Sequence, residues 1–354
     1  MSQSESLIQI FPININQGSI YFPHMGEFII LNSIGEGNFS EVFEAKPKEA
    51  NNSESSNIFN YIIKICKKFN IVDNNSDKNP PKKILFNEIC EINLLKKIKN
   101  IGNPNIIQMY DWTIDRKTCE VRILMEYMPY DLRNYFSKEE NLFKLDENLL
   151  KKIAFQILNG LNSLHKKRII HFDIKPENIL FDPDNEIIKI TDFSLSQYIT
   201  YDLDKNILIN GGTYSYMPPE GILKTKKYSF SYDIWSLGCI LLELCCRKVT
   251  FIGNNSNKVI DNIISIFGLD IKSLTNFDEY CNNCFNNIIE KERIINYIKS
   301  NIKIKLINDD FCDFISKILC INPSNRIKAE DALKHRWLMN ISNKCFILFI
   351  PGIN

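Results

Sequence analysis

Apolar residues recur along this chain in two rhythms. From Leu149 to His165, the residues Leu150, Ile153, Ala154, Ile157, Leu161 and Leu164 share one face at helical spacing, the mark of a packing helix. Ile84, Ile89, Ile92, Leu95 and Ile98 repeat the pattern and predict a helix over 84–98. The run Asp233–Leu244 is apolar nearly all round, as suits a helix in the middle of a core. A further helix is predicted over Val259–Phe267, and another ends at His335–Leu338. Shorter runs read as strands: Phe28–Leu31, Phe43–Ala45, Tyr61–Ile65, Ile123–Met128, Ile179–Phe181 and Ile187–Ile190. The last two flank the turn residues Asp182, Pro183, Asp184 and Asn185, which predicts a hairpin. Polar stretches at Lys46–Asn57 and Asn70–Asn79 break both rhythms and read as loops. Before Met25 the period is weak. Leu7–Phe11 and Ile20–Phe22 are candidate strands, with a flexible extension as the alternative.

Composition narrows the class. A chain of 354 residues suits one large or two modest domains. Hydrophobic content of 44% and charged content of 24% are ordinary for a soluble globular protein. A formal charge of +1 gives no field from which to argue nucleic-acid or membrane binding. The 11 cysteines form no repeating framework. Cys281 and Cys284 have zinc-like spacing without a second pair, so free thiols in a reducing compartment are the expectation. There is no basic start with an apolar run like a signal peptide, and no stretch of ~18 apolar residues. The expected setting is intracellular, in cytoplasm or nucleus, with no membrane partner.

The chemistry concentrates between His171 and Ser194. Asp173, Lys175, Asn178 and Asp192 supply a carboxylate, an ammonium, an amide and a second carboxylate. Phosphoryl transfer asks for this set: a carboxylate to orient the attacking hydroxyl, a cation to offset charge on the moving group, and hard oxygens for Mg²⁺. The predicted hairpin would return Asp192 to Asn178. Any one of these residues alone reads as part of a solvated turn; the ordered set does not.

This stretch resembles the catalytic and magnesium loops of eukaryotic protein kinases. Upstream, Gly35-Glu36-Gly37 between strand-like runs resembles the family's glycine-rich loop, with Ser40 where a third glycine often stands. Tyr61–Ile65 resembles the strand that carries the phosphate-binding lysine, here Lys64. Glu91 aligns with the glutamate that pairs with it, and Glu88, one turn earlier, is the competitor. Ile123–Met128 resembles the adenine-binding hinge, with Met125 as gatekeeper and Glu126 and Met128 offering backbone hydrogen bonds. Further on, Thr213–Glu220 resembles the end of an activation segment. Asp233 matches the aspartate that holds the catalytic loop, and Arg326 the arginine that pairs with Glu220.

The resemblance runs from about Gly26 to Leu338 and implies a bilobal α+β fold. It places a small antiparallel-sheet N-lobe with one helix at 26–128 and a mainly helical C-lobe at 129–340. An N-terminal extension (1–25), an insert at about 252–310 and a tail (341–354) complete the chain. It implies ATP and Mg²⁺ between the lobes, with Asp173, Lys175, Lys64 and Glu91 catalytic and Asn178 and Asp192 on the metal. The nucleotide would meet Ile34, Gly35, Gly37, Val42, Ile62, Lys64, Met125, Glu126, Met128 and Leu180, with Ile62 tightening the purine slot. Thr213, Glu220, Asp233 and Arg326 would be structural. The insert and Met128–Leu132 are similar to CMGC kinases of cyclin-dependent type. Phe172, in place of the arginine before the catalytic aspartate, gives a likeness to LAMMER kinases, whose own residue there is small and polar.

The implied activity is transfer of the ATP γ-phosphoryl group to Ser/Thr hydroxyls of proteins, with a regulatory partner protein left open. The alternatives are a nucleotide-binding pseudokinase or scaffold, suggested by Phe172, Ser194, Pro218 and Ile62, and a small-molecule phosphotransferase. Met217 replaces an arginine of CMGC kinases and argues against strict proline direction. Ser194 replaces a glycine free to adopt positive φ, which predicts a stiffer Asp192-Phe193. Phe172 cannot clamp a phosphate, and Ile207–Ile209 offers no hydroxyl at the usual phosphoacceptor position. Hydrophobic docking of Phe172 on that apolar segment is the expectation.

Overall fold

Alternating burial in the first third of the chain produces a six-stranded antiparallel sheet. The computed structural model describes residues 19–36, 40–48, 61–66, 86–115, 118, 120–199, 211–225, 228–269, 277–282, 286–304 and 308–339. They divide into two compact units, the first running to Asn100 with Ile107–Tyr127, the second comprising Ile101–Ile106 and the chain from Met128.

The first unit holds β1 (Ser19–Phe22), β2 (Gly26–Glu36), β3 (Ser40–Pro47), β4 (Tyr61–Cys66), β5 (Met109–Ile114) and β6 (Val121–Glu126), in the order β1-β2-β3-β4-β6-β5. One face is packed by Ile20, Phe22, Phe28, Ala45, Ile63 and Leu124. Phe22, Phe28, Tyr61 and Tyr110 meet edge to face in series, with centroids 5.8, 5.0 and 5.3 Å apart. Each such pair contributes about 0.5–1.5 kcal/mol beyond its buried area. Ile20–Phe22 is therefore a core strand, while Leu7–Phe11 lies outside the described residues. Strand β3 runs on to Pro47, past the point where the polar sequence predicts a loop, because Lys46 and Pro47 pair with Ile29 and Phe28. Helix α1 (Phe86–Lys99) buries Ile92, Leu94, Leu95 and Ile98.

The second unit opens with β7 (Tyr130–Asp131), α2 (Leu132–Ser137), α3 (Glu139–Leu142) and α4 (Glu147–Lys166). Asp146 caps α4 by accepting the Leu149 N–H at 2.7 Å, and the apolar face read from the sequence is buried. Strands β8 (Ile169–Ile170), β9 (Ile179–Asp182), β10 (Ile187–Ile190) and β11 (Gln197–Tyr198) form small ladders, β10-β9-β7 and β11-β8. After α5 (Pro219–Ile222), helix α6 (Ser231–Cys246) runs through the core, buried at every position from Tyr232 to Cys246. Trp235 stacks near Phe251 and Phe267, at 5.5 and 5.9 Å. A Cβ on Gly238 would come within 2.6 Å of Ile318 and Leu319, so glycine sets how closely α6 and the chain at Ile318 approach.

Helices α7 (Ser256–Phe267), α8 (Phe277–Asn282), α9 (Asn286–Asn301), α10 (Asp309–Ile318) and α11 (Ala329–Ala332) complete the unit. The helix predicted to end at His335–Leu338 stops at Ala332 instead. His335 turns extended, its ring accepts the Trp337 N–H at 3.3 Å, and a separate 3₁₀ turn, Arg336–Leu338, follows. The break sets Trp337 against Phe311 and Phe314, at 4.9 and 4.8 Å. The tail 341–354 lies outside the described residues, and no described helix is long and apolar enough to cross a membrane.

Candidate active site

In the first unit, strand alternation decides where Lys64 points. Ile63 is fully buried in the core, so its neighbour Lys64 leaves the opposite face of β4, between Val42 on β3 and Ile123 on β6. Its Nζ donates to Glu91 Oε1 at 2.7 Å, with side chains 12% and 3% exposed. The register argument for Glu91 agrees with this geometry; the Glu88 side chain lies outside the described residues. Gly35 stands opposite Val42, and a Cβ added there would meet no atom of the described residues within 4 Å. Ile34 beside it is exposed, and Gly37 lies outside the described residues. Ile62 and Met125 are buried cross-strand partners. The Glu126 side chain accepts the Gln108 N–H at 2.6 Å, which fixes the end of β6.

In the second unit, the residues singled out around Asp173 come together. Lys175 Nζ lies 2.7 Å from Asp173 Oδ2 and donates to Thr213 Oγ1 at 3.2 Å. Asn178 Nδ2 donates to the Asp173 carbonyl at 2.8 Å and to Oδ2 at 3.0 Å. Ile179 pairs with Ile190 across the β9–β10 hairpin, and the Thr191 N–H reaches the Asn178 carbonyl at 3.0 Å. Asp192 therefore follows directly on the residue facing Asn178. Leu180 is half-buried on β9 and pairs with Lys189 and Asp131; Met128 is buried.

The stretch Asp192–Ser194 follows the hairpin after one residue, Thr191. Positive φ falls at Asp192 (61°), and Ser194 is not in the left-handed region. The Cβ of Ser194 thus carries no conformational cost in this state. Phe193 is buried with its ring 5.1 Å from His171.

Two buried ties hold this site. The Asp233 carboxylate accepts the N–H groups of His171 and Phe172, both at 3.0 Å, and meets His165 Nε2 at 2.9 Å. Arg326 makes a bidentate pair with Glu220 at 2.6 and 2.7 Å. Its N–H groups also reach the carbonyls of Cys320, Ser231 and Ile321. Phe172 is buried with φ of 65° and lies edge-on to Tyr232 at 5.0 Å and Tyr228 at 6.1 Å. These tyrosines are the partners the structure gives it; Ile207–Ile209 lies outside the described residues.

Sequence reasoning missed a third tie. Arg133, at the start of α2, donates through Nε to Glu177 Oε1 at 3.0 Å and through its terminal nitrogens to Glu243 and the Tyr216 hydroxyl. Tyr216 donates in turn to Glu243 Oε2 at 2.5 Å. These residues are spread from position 133 to 243, and no local pattern marks them as a set.

The donor chemistry fits a hard cation. Asn178 and Asp192 offer an amide and a carboxylate oxygen, the ligand types Mg²⁺ takes, on a hairpin that fixes their spacing. A zinc site at Cys281 gains no support: Cys284 lies outside the described residues, and among those described no cluster of three His, Cys, Asp or Glu could hold a metal.

The family profile described as "Protein kinase domain" matches residues 28–338. The chain belongs to the protein kinase family. Members generally use ATP with Mg²⁺. This kinase is 28% identical over 340 residues to cyclin-dependent kinase 11.2 of Caenorhabditis elegans, covering 90% of this chain and 46% of that protein. It is 30% identical over 315 residues to a probable cyclin-dependent kinase 10 of Dictyostelium discoideum, covering 86% and 77%. With cyclin-dependent kinase 2 of C. elegans it shares 29% over 316 residues, covering 89% and 78%. The chain spans about half the length of the first curated relatives it matches, 46% and 52%. The bilobal α+β expectation agrees with the family, an antiparallel sheet early in the chain and helices after it.

Proposed function

We propose that this kinase transfers the γ-phosphoryl group of ATP to Ser or Thr hydroxyls of protein substrates. The observation that carries the reading is the Asp173 cluster, in which Lys175 bridges Asp173 and Thr213 while Asn178 holds both the backbone and the carboxylate of Asp173. In this reading Asp173 orients the substrate hydroxyl and accepts its proton. Lys175, fixed by Thr213, offsets charge on the phosphoryl oxygens as it moves. Lys64, held by Glu91, contacts the α- and β-phosphates. Asn178 and Asp192 would hold Mg²⁺, which when bound neutralises charge on the phosphate oxygens. Phe172, Ser194, Pro218 and Ile62 remove none of these charged groups, so a pseudokinase or scaffold role is not favoured. The names of the relatives suggest a regulatory protein partner, and Met217, buried where CMGC kinases carry an arginine, argues against an obligatory proline after the phosphoacceptor.

A degenerate peptide library incubated with the kinase and ATP·Mg²⁺ tests substrate class and context together. Mass spectrometry should locate the phosphate on Ser and Thr without a fixed proline. Phosphate on Tyr alone, or a strict proline requirement, would contradict the proposal.

A further inference from the structure

His165, which meets Asp233, and Arg326, which pairs with Glu220, line one cavity of about 340 Å³. None of the residues assigned to phosphoryl transfer lines it. It lies where the end of α4, the start of α6 and the start of α11 meet, and its size is one that small-molecule sites take. Phe230, Ile234, Ile327 and Ala329 give it apolar walls. The His165 ring stands against Phe230, centroids 5.1 Å apart and planes at 36°, so part of the wall is aromatic and suits a flat guest.

His165 also supplies a polar contact. Its side chain is 9% exposed, and its Nε2 meets the Asp233 carboxylate at 2.9 Å. An acceptor on that side assigns the ring proton to Nε2, which leaves Nδ1 of the neutral ring an acceptor. Nδ1 has no hydrogen-bond partner among the described residues. A guest must therefore meet it with an O–H or N–H. The rim supplies charge: Lys166 and Lys328 are exposed, and neither ammonium has an ion pair among the described residues. The other charges lining the cavity are answered, Arg326 by Glu220 at 2.6 Å and Glu330 by Lys334 at 3.5 Å. Two unpaired cations above apolar walls favour an anion.

We propose that this cavity binds a small aromatic carboxylate carrying a phenolic hydroxyl. The hydroxyl donates to His165 Nδ1, the ring lies between the apolar walls, and the carboxylate faces Lys166 and Lys328. A donor at Nδ1 polarises the imidazole and makes its Nε2–H a stronger donor to Asp233. Asp233 in turn holds the N–H groups of His171 and Phe172, so an occupied cavity steadies the catalytic loop.

Isothermal titration calorimetry of the full chain with 3-(4-hydroxyphenyl)propionate tests this. Wild type should bind one equivalent with a Kd of about 0.1–1 mM, as a ligand of this size supports. 3-Phenylpropionate, which lacks the hydroxyl, should bind about fivefold or more weakly. Combining Lys166→Gln with Lys328→Gln should weaken the phenolic acid by about the same factor. The phenolic acid should raise the thermal midpoint of wild type and leave that of the double variant in place. Should the double variant not fold, Lys328→Gln alone replaces it. Equal affinity for the two acids, equal affinity in wild type and variant, or no saturable heat at millimolar concentration would overturn the proposal. Full competition by ATP·Mg²⁺ would place the acid at the nucleotide site and overturn it as well. Binding is read without turnover, so the outcome is independent of the kinase reading.

Discussion

The Asp233 carboxylate accepts the backbone N–H of Phe172 at 3.0 Å, at a residue whose φ is 65°. A bulky residue in the left-handed region costs about 1–3 kcal/mol and persists only where its surroundings hold it. Here the hold is a fully buried carboxylate that takes two consecutive N–H groups. Asp233 thus offsets the strain that brings Asp173 next to Lys175 and Asn178. Asp233→Ala should leave two buried N–H groups without their acceptor and lower unfolding free energy by about 2–4 kcal/mol. Chemical denaturation with matched turnover assays would check this, and turnover should fall even in the fraction that remains folded.

The Glu220–Arg326 pair is the second structural expectation. Both side chains are at most 1% exposed, so truncating either leaves a buried charge without its partner. Arg326→Ala should cost about 3–5 kcal/mol, whereas replacing both residues with apolar ones of similar volume should cost less. Urea midpoints of the two single variants and the double variant would show the difference as a coupling energy.

Lys64→Met should spare folding and reduce turnover by about 10²–10³, because the lost interaction acts on developing charge in the reaction. Near-wild-type turnover in that variant would remove Lys64 from the proposed machinery.

Regulation follows from Phe172. Its ring is buried against Tyr228 and Tyr232, so the position that in most CMGC kinases clamps a phosphate is here part of an aromatic cluster. Burial of one such side chain stabilises by about 1.5–3 kcal/mol, and the contact that supplies it contains no phosphate. Protein made in bacteria and treated with phosphatase should keep its turnover. Abolition by phosphatase, with recovery on restoring one activation-segment phosphate, would contradict this. Thr200 and Tyr201, two other candidate modification sites, lie outside the described residues, and Tyr214 is exposed.

Much of this was legible in the sequence where spacing alone carries geometry. Helical periodicity placed Leu150–Leu164 on a buried face, and the turn at Asp182–Asn185 returned Asp192 to Asn178. Glu91 was matched to Lys64 through the resemblance of its register, ahead of Leu94 and Leu95, to the kinase helix, and the two side chains meet. What stayed hidden depends on the chain folding back at long range. Arg133 meets Glu243 only because α2 and α6 converge, and nothing near either residue announces it. Backbone strain was equally hidden: the missing glycine drew attention to Ser194, whereas the positive φ belongs to Asp192 and Phe172, non-glycine residues whose φ values are 61° and 65°.

The central claim is that Asp173 is the base of a working phosphotransferase, and one comparison tests it most directly. Wild type and Asp173→Asn are given ATP·Mg²⁺ and a generic basic protein, and transfer of γ-phosphate is followed over time. The substitution keeps the shape of the side chain and removes its charge, so the lost term is general-base catalysis, typically about 10²–10⁴ in rate. Robust transfer by wild type and a fall of that order in Asp173→Asn is the predicted result. Equal transfer by both proteins, or none by either, would contradict the account.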